Sequence, residues 1–269
     1  MRTIFAILKK ELTSHLTTLW AWVVFTVMAL LISIFFVQSI GMFREVQDAA
    51  RSDPGGWSAL PAELQMYRNL TDGVILPLWN VVLVVTLFVA PFLSMRLFAE
   101  EKSKKTLELL LTVPIRPMEI VLGKYLGGLL VFILTLSVTL VFPVILSVIG
   151  NSESGSALEW RTVGLGYLSM LLWGGALVAI GMFVSSMTES QMVAAFVTFA
   201  IGLAWMLLPA MGAKLGEPLR SALEYLAVDR QLQYLVKGVL DLKPIVFFSS
   251  VVAFFVLLTH RSIEAQRWT

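Results

Sequence analysis

Residues 96–124 read RLFAEEKSKKTLELLLTVPIRPMEIVLGK, and this segment decides how the rest of the chain is organised. It carries six lysines and arginines among four glutamates, and it separates two apolar runs that are each long enough to cross a bilayer. Within it, residues 106–113 are too apolar for a free loop and too short to span a membrane. The composition predicts a short helix at the membrane face, through which a partner outside the membrane could move the spans.

The overall composition is that of an integral membrane protein. Of the 269 residues, 58% are hydrophobic and only 14% are charged, whereas about a quarter are charged in soluble domains. Cysteine is absent, which excludes disulfides, thiol catalysis and thiolate metal sites. No basic stripe is present, so nucleic acid is not an expected partner. The two histidines, His15 and His260, border apolar runs and are interpreted as interfacial polar residues.

Six apolar runs predict six transmembrane helices, at about residues 16–40, 74–95, 125–149, 163–184, 191–211 and 245–259. Ahead of them, Ile4, Leu8 and Leu12 recur at intervals of four with Phe5 beside them, which predicts an amphipathic helix lying in the membrane interface. Leucines at helical spacing after Pro218 predict one or two short helices on the far membrane face, between spans five and six. The predicted fold is a single all-α integral membrane domain covering residues 1–269.

Lysine and arginine placement favours one orientation of this domain. Six spans put both termini on the same side as the 96–124 segment. That side carries more lysines and arginines on many fewer loop residues than the opposite side. Under the positive-inside rule, the termini and the 96–124 segment are therefore expected in the cytoplasm.

The predicted spans lack the side chains that intramembrane chemistry needs. As drawn, none contains Asp, Glu, Lys, Arg or His. Ion-driven carriers usually keep an ionisable group in the membrane, and intramembrane hydrolases need an acid, a histidine or an activated serine there. The glycines at 150 and 155 are not followed by a lysine, so no phosphate-binding loop is expected. We therefore expect a non-catalytic chain that draws its energy from a partner.

Small residues predict close helix packing at the start of the third span. Gly123 and Gly127 stand four apart, and Gly128 follows. This spacing lets two helices approach closely. The second helix could belong to the same chain or to another copy.

Several residues of the 96–124 segment resemble a known family. Glu100-Glu101-Lys102, Thr106-Leu107-Glu108-Leu109-Leu110, Pro114, Glu119 and Gly123-Lys124 are similar, in that order, to the cytoplasmic loop of type-2 ABC exporter permeases. The last third of the chain carries a second resemblance. Residues 237–242, 247–259 and 267–268 are similar to the C-terminal part of permeases in the gliding-motility and copper-site-maturation branch. Together with the six spans, the resemblance covers nearly the whole chain.

The resemblance implies a permease that works by alternating access and carries a cytoplasmic coupling helix between spans two and three. No cofactor is expected in this chain, because ATP and Mg²⁺ would be bound by a separate ATPase. Glu100 and Glu101 would hold the end of the second span against basic groups. The implied ATPase-coupling residues are Glu100, Glu101, Lys104, Lys105, Thr106, Leu107, Glu108, Leu109, Leu110, Pro114, Glu119, Gly123 and Lys124.

Lys105 departs from the family pattern, which usually has glycine before the threonine. If that glycine serves a turn with positive φ, the start of the coupling helix could differ here. A lysine at this position could equally add a charge contact to the partner. The sequence therefore does not decide between these two roles of Lys105 in docking to the ATPase.

The implied partners are cytoplasmic ABC ATPase subunits, a second permease copy or homologue, membrane lipids and an extracytoplasmic auxiliary protein, all at the bacterial inner membrane. The cargo could be a solute or a lipid-like substrate, or the protein could transmit force alone. One alternative is a non-transporting membrane anchor of a motility or envelope assembly. Another is a membrane enzyme acting on lipid through Glu217 or Asp229, which the charge-free spans disfavour.

Overall fold

The computed structural model describes residues 2–108, 115–153, 158–212, 216–217 and 219–266, and these residues contain no β-strand. In chain order the helices are α1 (Arg2–Thr17), α2 (Leu19–Ser52), α3 (Leu76–Ser94), α4 (Arg96–Ser103), α5 (Pro117–Ser137), α6 (Val141–Glu153), α7 (Trp160–Met187), α8 (Gln191–Gly212), α9 (Leu219–Leu226), α10 (Val228–Val236) and α11 (Leu242–Gln266).

Six helical segments of the described chain are long and apolar enough to cross a membrane, which confirms the predicted all-α, six-span class. They are Ala21–Ser52, Thr71–Ser103, Pro117–Val148, Trp160–Met187, Gln191–Met211 and Leu242–Gln266. Short irregular helices complete the second and third of them: a π-helix at Thr71–Ile75 leads into α3, and a 3-10 turn at Val138–Leu140 joins α5 to α6.

The observed helices extend beyond the apolar runs that predicted them. At 1.5 Å per residue, α2 is about 51 Å long, well over the ~30 Å hydrocarbon core of a bilayer. The third span begins with Pro117 at its first turn, so Glu119 and Lys124 lie on the same helix as the apolar run. The apolar run itself carries no ionisable side chain, as expected, but the helix that contains it does. Backbone hydrogen bonding continues past the apolar residues, and Lys124 is tolerated because it is paired.

Helix α7 occupies the centre of the bundle. It packs against α3, α11, α8, α10, α4 and α5. Within its most apolar stretch 78% of the residues are buried, compared with 22% in α2, α8 and α11. Close approach depends on glycine, since a Cβ at Gly174 would overlap the ring of Phe132 on α5. At the preceding position, Trp173 is fully buried, and its ring contacts those of Trp205 and Phe248.

Two short helices, α9 and α10, lie between the fifth and sixth spans, as predicted. Val228, Leu232 and Leu235 of α10 are buried against the bundle. The indole N–H of Trp205 on α8 donates to the carbonyl oxygen of Leu226 at 2.7 Å, at the end of α9. These contacts fix the pair to the ends of the spans on the side away from the termini.

The second span is interrupted at Met95, between α3 and α4. Pro91 lies inside α3 and provides no backbone N–H, which weakens the helix at this end. The hydroxyl of Ser185 on α7 compensates for the interruption: it accepts from the N–H groups of Phe98 and Ala99 at 3.0 Å and 2.9 Å and donates to the carbonyl of Met95 at 2.8 Å.

Candidate functional site

Helix α1 lies directly on the glycine face of α5. A Cβ at Gly123 would lie 2.9 Å from the Cβ of Ile7, and one at Gly127 would lie 2.7 Å from the Cβ of Glu11. Only hydrogen at these two positions allows α1 to come so close. The close packing predicted from the glycine spacing is therefore made within the chain.

The predicted interfacial residues of α1 differ in how far they are buried. Ile4, Leu8 and Leu12 are partly buried, whereas Phe5 is 67% exposed. The amphipathic stripe is thus used partly to hold α1 on α5, and Phe5 remains available to a membrane surface. Polar side chains share the buried stripe: Glu11 and His15 are each only 6% exposed.

A cluster of four charged side chains joins α1, α4 and α5, with Glu11 and Lys124 buried, Glu101 mostly buried and Lys10 exposed. Lys124 of α5, which is 1% exposed, donates to Glu11 of α1 at 2.8 Å, and its Nζ lies 3.1 Å from Glu101 of α4. From the outer side, Lys10 of α1 donates to the other oxygen of Glu101 at 2.7 Å. The Lys124 ammonium also lies 5.1 Å from the ring centre of Phe98. We call Lys10, Glu11, Glu101 and Lys124 the ion cluster.

The ion cluster fixes three helices relative to each other. Removing one partner of a buried ion pair typically costs about 3–5 kcal/mol, because the remaining charge is left in a poorly solvated site. Partial burial alone would lower the pKa of Lys10, but the hydrogen bond and charge of Glu101 outweigh this and raise it. The lysine therefore stays charged and keeps Glu101 paired from the solvent side.

Glu100, next to Glu101, makes a separate set of ion pairs along α4. It accepts from Arg96 at 2.8 Å and from Lys104 at 2.6 Å, each four residues away. Consecutive helical residues point in different directions. Glu100 therefore pairs with residues of its own helix, whereas Glu101 reaches α5 and α1. Both hold the end of the second span against basic groups.

His15 also ties α1 to the interrupted second span. Its Nδ1 lies 3.0 Å from the carbonyl oxygen of Glu11, and its Nε2 lies 3.2 Å from that of Leu93, near the end of α3. The sequence interpretation of His15 as a simple interfacial residue missed this contact. Its position four residues after Glu11, on the same buried stripe, is the one signal that could have indicated it.

The chain reverses at Lys105, where α4 ends. Lys105 has φ of +55°, the left-handed conformation that glycine adopts most easily. The N–H groups of Lys104 and Lys105 bond back to the carbonyls of Glu100 and Lys102 at 3.1 Å and 3.0 Å, and helix resumes at residues 106–108. A lysine therefore makes a left-handed turn at the position where the resemblance implied glycine.

The predicted coupling residues fall into three groups in the structure. Lys104, Lys105, Thr106 and Glu108 are exposed at the tip beyond α4, and Glu119 is partly exposed. By contrast, Glu101, Leu107, Gly123 and Lys124 contact this chain's own helices, and their role in coupling stays a prediction. Leu109, Leu110 and Pro114 lie outside the described residues.

The geometry thus defines a multi-pass membrane protein with a charged tip beyond its second span, braced by buried ion pairs. Residues 5–260 match the family model described as ABC-2 family transporter protein, and the chain belongs to this family. It is accordingly a permease component of an ABC transporter, a class that works with an ABC ATPase subunit. No curated protein gives a significant match to the chain. The closer assignment to the gliding-motility branch stays a prediction.

Proposed function

We propose that this chain is the permease subunit of an ATP-driven exporter of the bacterial inner membrane. It would move a solute or lipid-like substrate, or transmit force, by alternating access, while ATP and Mg²⁺ bind to a separate cytoplasmic ATPase. Both termini and the exposed tip would face the cytoplasm. The ion cluster is the observation that carries this proposal, because it connects the tip rigidly to two further helices.

Force applied at the tip has a defined route into the bundle. The exposed tip follows α4 directly, so a push on it is delivered along that helix. Glu101 of α4 forms an ion pair with Lys124 of α5 and accepts a hydrogen bond from Lys10 of α1, and α1, α4 and α5 would therefore move as one body. The interruption at Met95 gives this body a point at which to tilt relative to α3.

The tip supplies the docking surface in this proposal. Its described side chains are Lys104, Lys105, Thr106 and Glu108, and the adjoining Leu109, Leu110 and Pro114 would complete it. Exposed charges of both signs suit an orienting contact with a soluble subunit. The buried residues Glu101, Gly123 and Lys124 would act as positioning residues that brace the tip from behind.

Two further partners belong to the proposal. A second permease copy or a homologue would complete the translocation unit. An extracytoplasmic auxiliary protein would bind the far face, where α9 and α10 expose Tyr225 and Tyr234. These aromatic side chains are typical of protein interfaces.

Charge reversal at the tip tests the docking. The chain is co-expressed with a candidate ABC ATPase from the same genome, and the amount of ATPase that co-purifies is measured for Glu108→Lys and for Glu63→Lys. Both glutamates are exposed, but Glu63 lies on the far side of the membrane in the Ala62–Arg68 helix. We expect Glu108→Lys to reduce ATPase recovery at least tenfold, and Glu63→Lys to leave it unchanged.

Equal recovery with the two variants would show that the tip is not the docking surface. A non-transporting anchor is separated from an exporter by a second measurement. In proteoliposomes containing the assembled complex, ATP should drive cross-linking changes between α5 and α11 in an exporter. An unchanged pattern during continued ATP hydrolysis would favour the anchor.

A further inference from the structure

A lateral groove of about 590 Å³ lies between α5, α7 and α11, away from the ion cluster. Its walls are apolar side chains such as Leu122 and Ile133 of α5, Leu172 of α7 and Val252 of α11. The few polar groups include the hydroxyl of Ser249. All three helices belong to candidate membrane spans, so the groove opens to the hydrocarbon of a bilayer.

The length of the groove matches one leaflet of a membrane. Along α5 it runs from Met118, in the first turn, to Ile133. At 1.5 Å per residue this is about 22 Å. Half of a bilayer's ~30 Å hydrocarbon core is about 15 Å, and the rest reaches the headgroup region on the side of the termini. The groove therefore extends from that membrane surface to about the midplane.

The length of the groove separates the occupants that a membrane offers. A transmembrane helix crosses the whole ~30 Å hydrocarbon core, whereas the groove covers about 22 Å along α5 from one membrane surface. An extended lipid acyl chain is much thinner and has the length of one leaflet. The dimensions favour an acyl chain over a helix.

Polar groups lie at the mouth of the groove, on the side of the termini. Arg116 directly precedes α5 and is exposed, and His260 and Arg261 follow the groove-lining residues of α11 by one helical turn. Arg261 bonds Glu264 at 3.1 Å, but a guanidinium has five N–H donors and retains others. The Nδ1 of His260 is buried with no hydrogen-bond partner among the described residues. Because Glu119 lies in the first turn of α5, this end of the groove offers specific donors rather than a strong positive field.

We propose that this groove is a phospholipid-binding site. One acyl chain lies along α5 between α7 and α11, and the phosphate accepts hydrogen bonds from Arg261 and Arg116 at the membrane surface. Arginine forks suit phosphate oxygens, because their parallel N–H groups match the spacing of two of those oxygens. The site differs from the tip and does not depend on the nature of the cargo.

Photolabelling with a defined lipid tests the proposal. The purified complex is placed in phosphatidylcholine nanodiscs that contain phosphatidylglycerol with a photoreactive group midway along one acyl chain, and labelled peptides are mapped. We expect labels at residues 118–133 and 249–257. Diacylglycerol carrying the same chain, which lacks the phosphate, should label these residues about tenfold less, the effect of losing a charge-assisted hydrogen bond. Arg261→Gln should remove most of this difference.

A matched pair of variants tests the position of the acyl chain. Ser249→Trp places a large ring in the groove, whereas Ser250→Trp places it on the neighbouring exposed residue outside the lining. Only Ser249→Trp should remove the label from α5. Should that variant not fold, Gly175→Leu fills the same space. Gly175→Ala is its control, since a Cβ there meets only ordinary contacts at 3.4 Å and 3.5 Å.

Three results would overturn the proposal. Labels spread evenly over α2 and α8 as well, and unchanged by Ser249→Trp, would show ordinary surrounding lipid. Capture of a polypeptide at residues 249–257 would show a protein occupant. Equal labelling by phosphatidylglycerol and diacylglycerol would show that the phosphate is not bound.

Discussion

Replacing Ser185 by alanine should loosen the junction between α3 and α4 far more than the loss of one small hydroxyl suggests. The side chain is fully buried, and its oxygen serves three backbone groups across the interruption at Met95. Alanine leaves the N–H groups of Phe98 and Ala99 without their hydroxyl acceptor. Each buried donor left unpaired costs about 1–3 kcal/mol, so the expected loss in the free energy of unfolding is roughly 2–6 kcal/mol.

The adjacent serine provides a matched control. Ser186 is also buried, but its hydroxyl donates to the carbonyl of Phe183 in its own helix at 2.7 Å and lies 3.2 Å from Ser262. Ser186→Ala leaves no backbone N–H without a partner and should cost about 1 kcal/mol. Unfolding of both variants is followed in mixed micelles with increasing SDS, and amide hydrogen exchange is measured at Phe98 and Ala99.

The free energy of unfolding and the exchange rates together test the role of the Ser185 hydroxyl. We expect faster exchange at Phe98 and Ala99 in Ser185→Ala and wild-type exchange there in Ser186→Ala. Equal stability losses in the two variants would show that the hydroxyl of Ser185 does not support the interruption. Unchanged exchange at both amides would lead to the same conclusion.

Three further substitutions address the turn and the ion cluster. Lys105→Gly should raise the free energy of unfolding by about 1 kcal/mol in the SDS titration, because glycine adopts a positive φ without a Cβ penalty; a decrease would mean that the lysine side chain contributes more than the backbone strain costs. Gly127→Ala should displace α1 and speed its proteolysis, since the new Cβ would lie 2.7 Å from that of Glu11, whereas Gly164→Ala, with open space around it, should not. Lys124→Met should cost about 3–5 kcal/mol by leaving Glu11 without its counter-charge. Adding Glu11→Gln should recover part of this loss, and strictly additive effects would argue against the pairing.

The number and type of the membrane helices could be predicted because the bilayer imposes a simple rule. A span needs about 20 predominantly apolar residues, and such runs are visible in a single sequence. Their bounds were less predictable. An apolar run ends where charge begins, but the helix continues while backbone bonds can form, as at Pro117 and along α2 to Ser52. The apolar run therefore predicts a third span that begins after Lys124, although Lys124 is part of helix α5.

The partners of the charged side chains could not be predicted from local spacing. Lys124 pairs with Glu11, 113 residues earlier in the chain, and no short-range pattern connects them. The glycines beside Lys124 did indicate a close neighbour, but not which helix it was. Lys104 and Glu108 are exposed because they follow the end of α4, and their contact with an ATPase stays a prediction.

Buried charge in this chain has a mechanical consequence rather than a chemical one. An intramembrane ionisable residue usually indicates a site that binds or releases an ion. Lys124 instead contacts Glu11 and Glu101 directly and is almost completely shielded from solvent, so it is placed to hold helices together. In the proposed function, transmission of force would need such a stiff connection near the tip and a more easily rearranged point further along. The hydroxyl of Ser185, which bridges the interruption in the second span, would be that point, because three hydrogen bonds to one side chain are easier to exchange than an uninterrupted helical backbone.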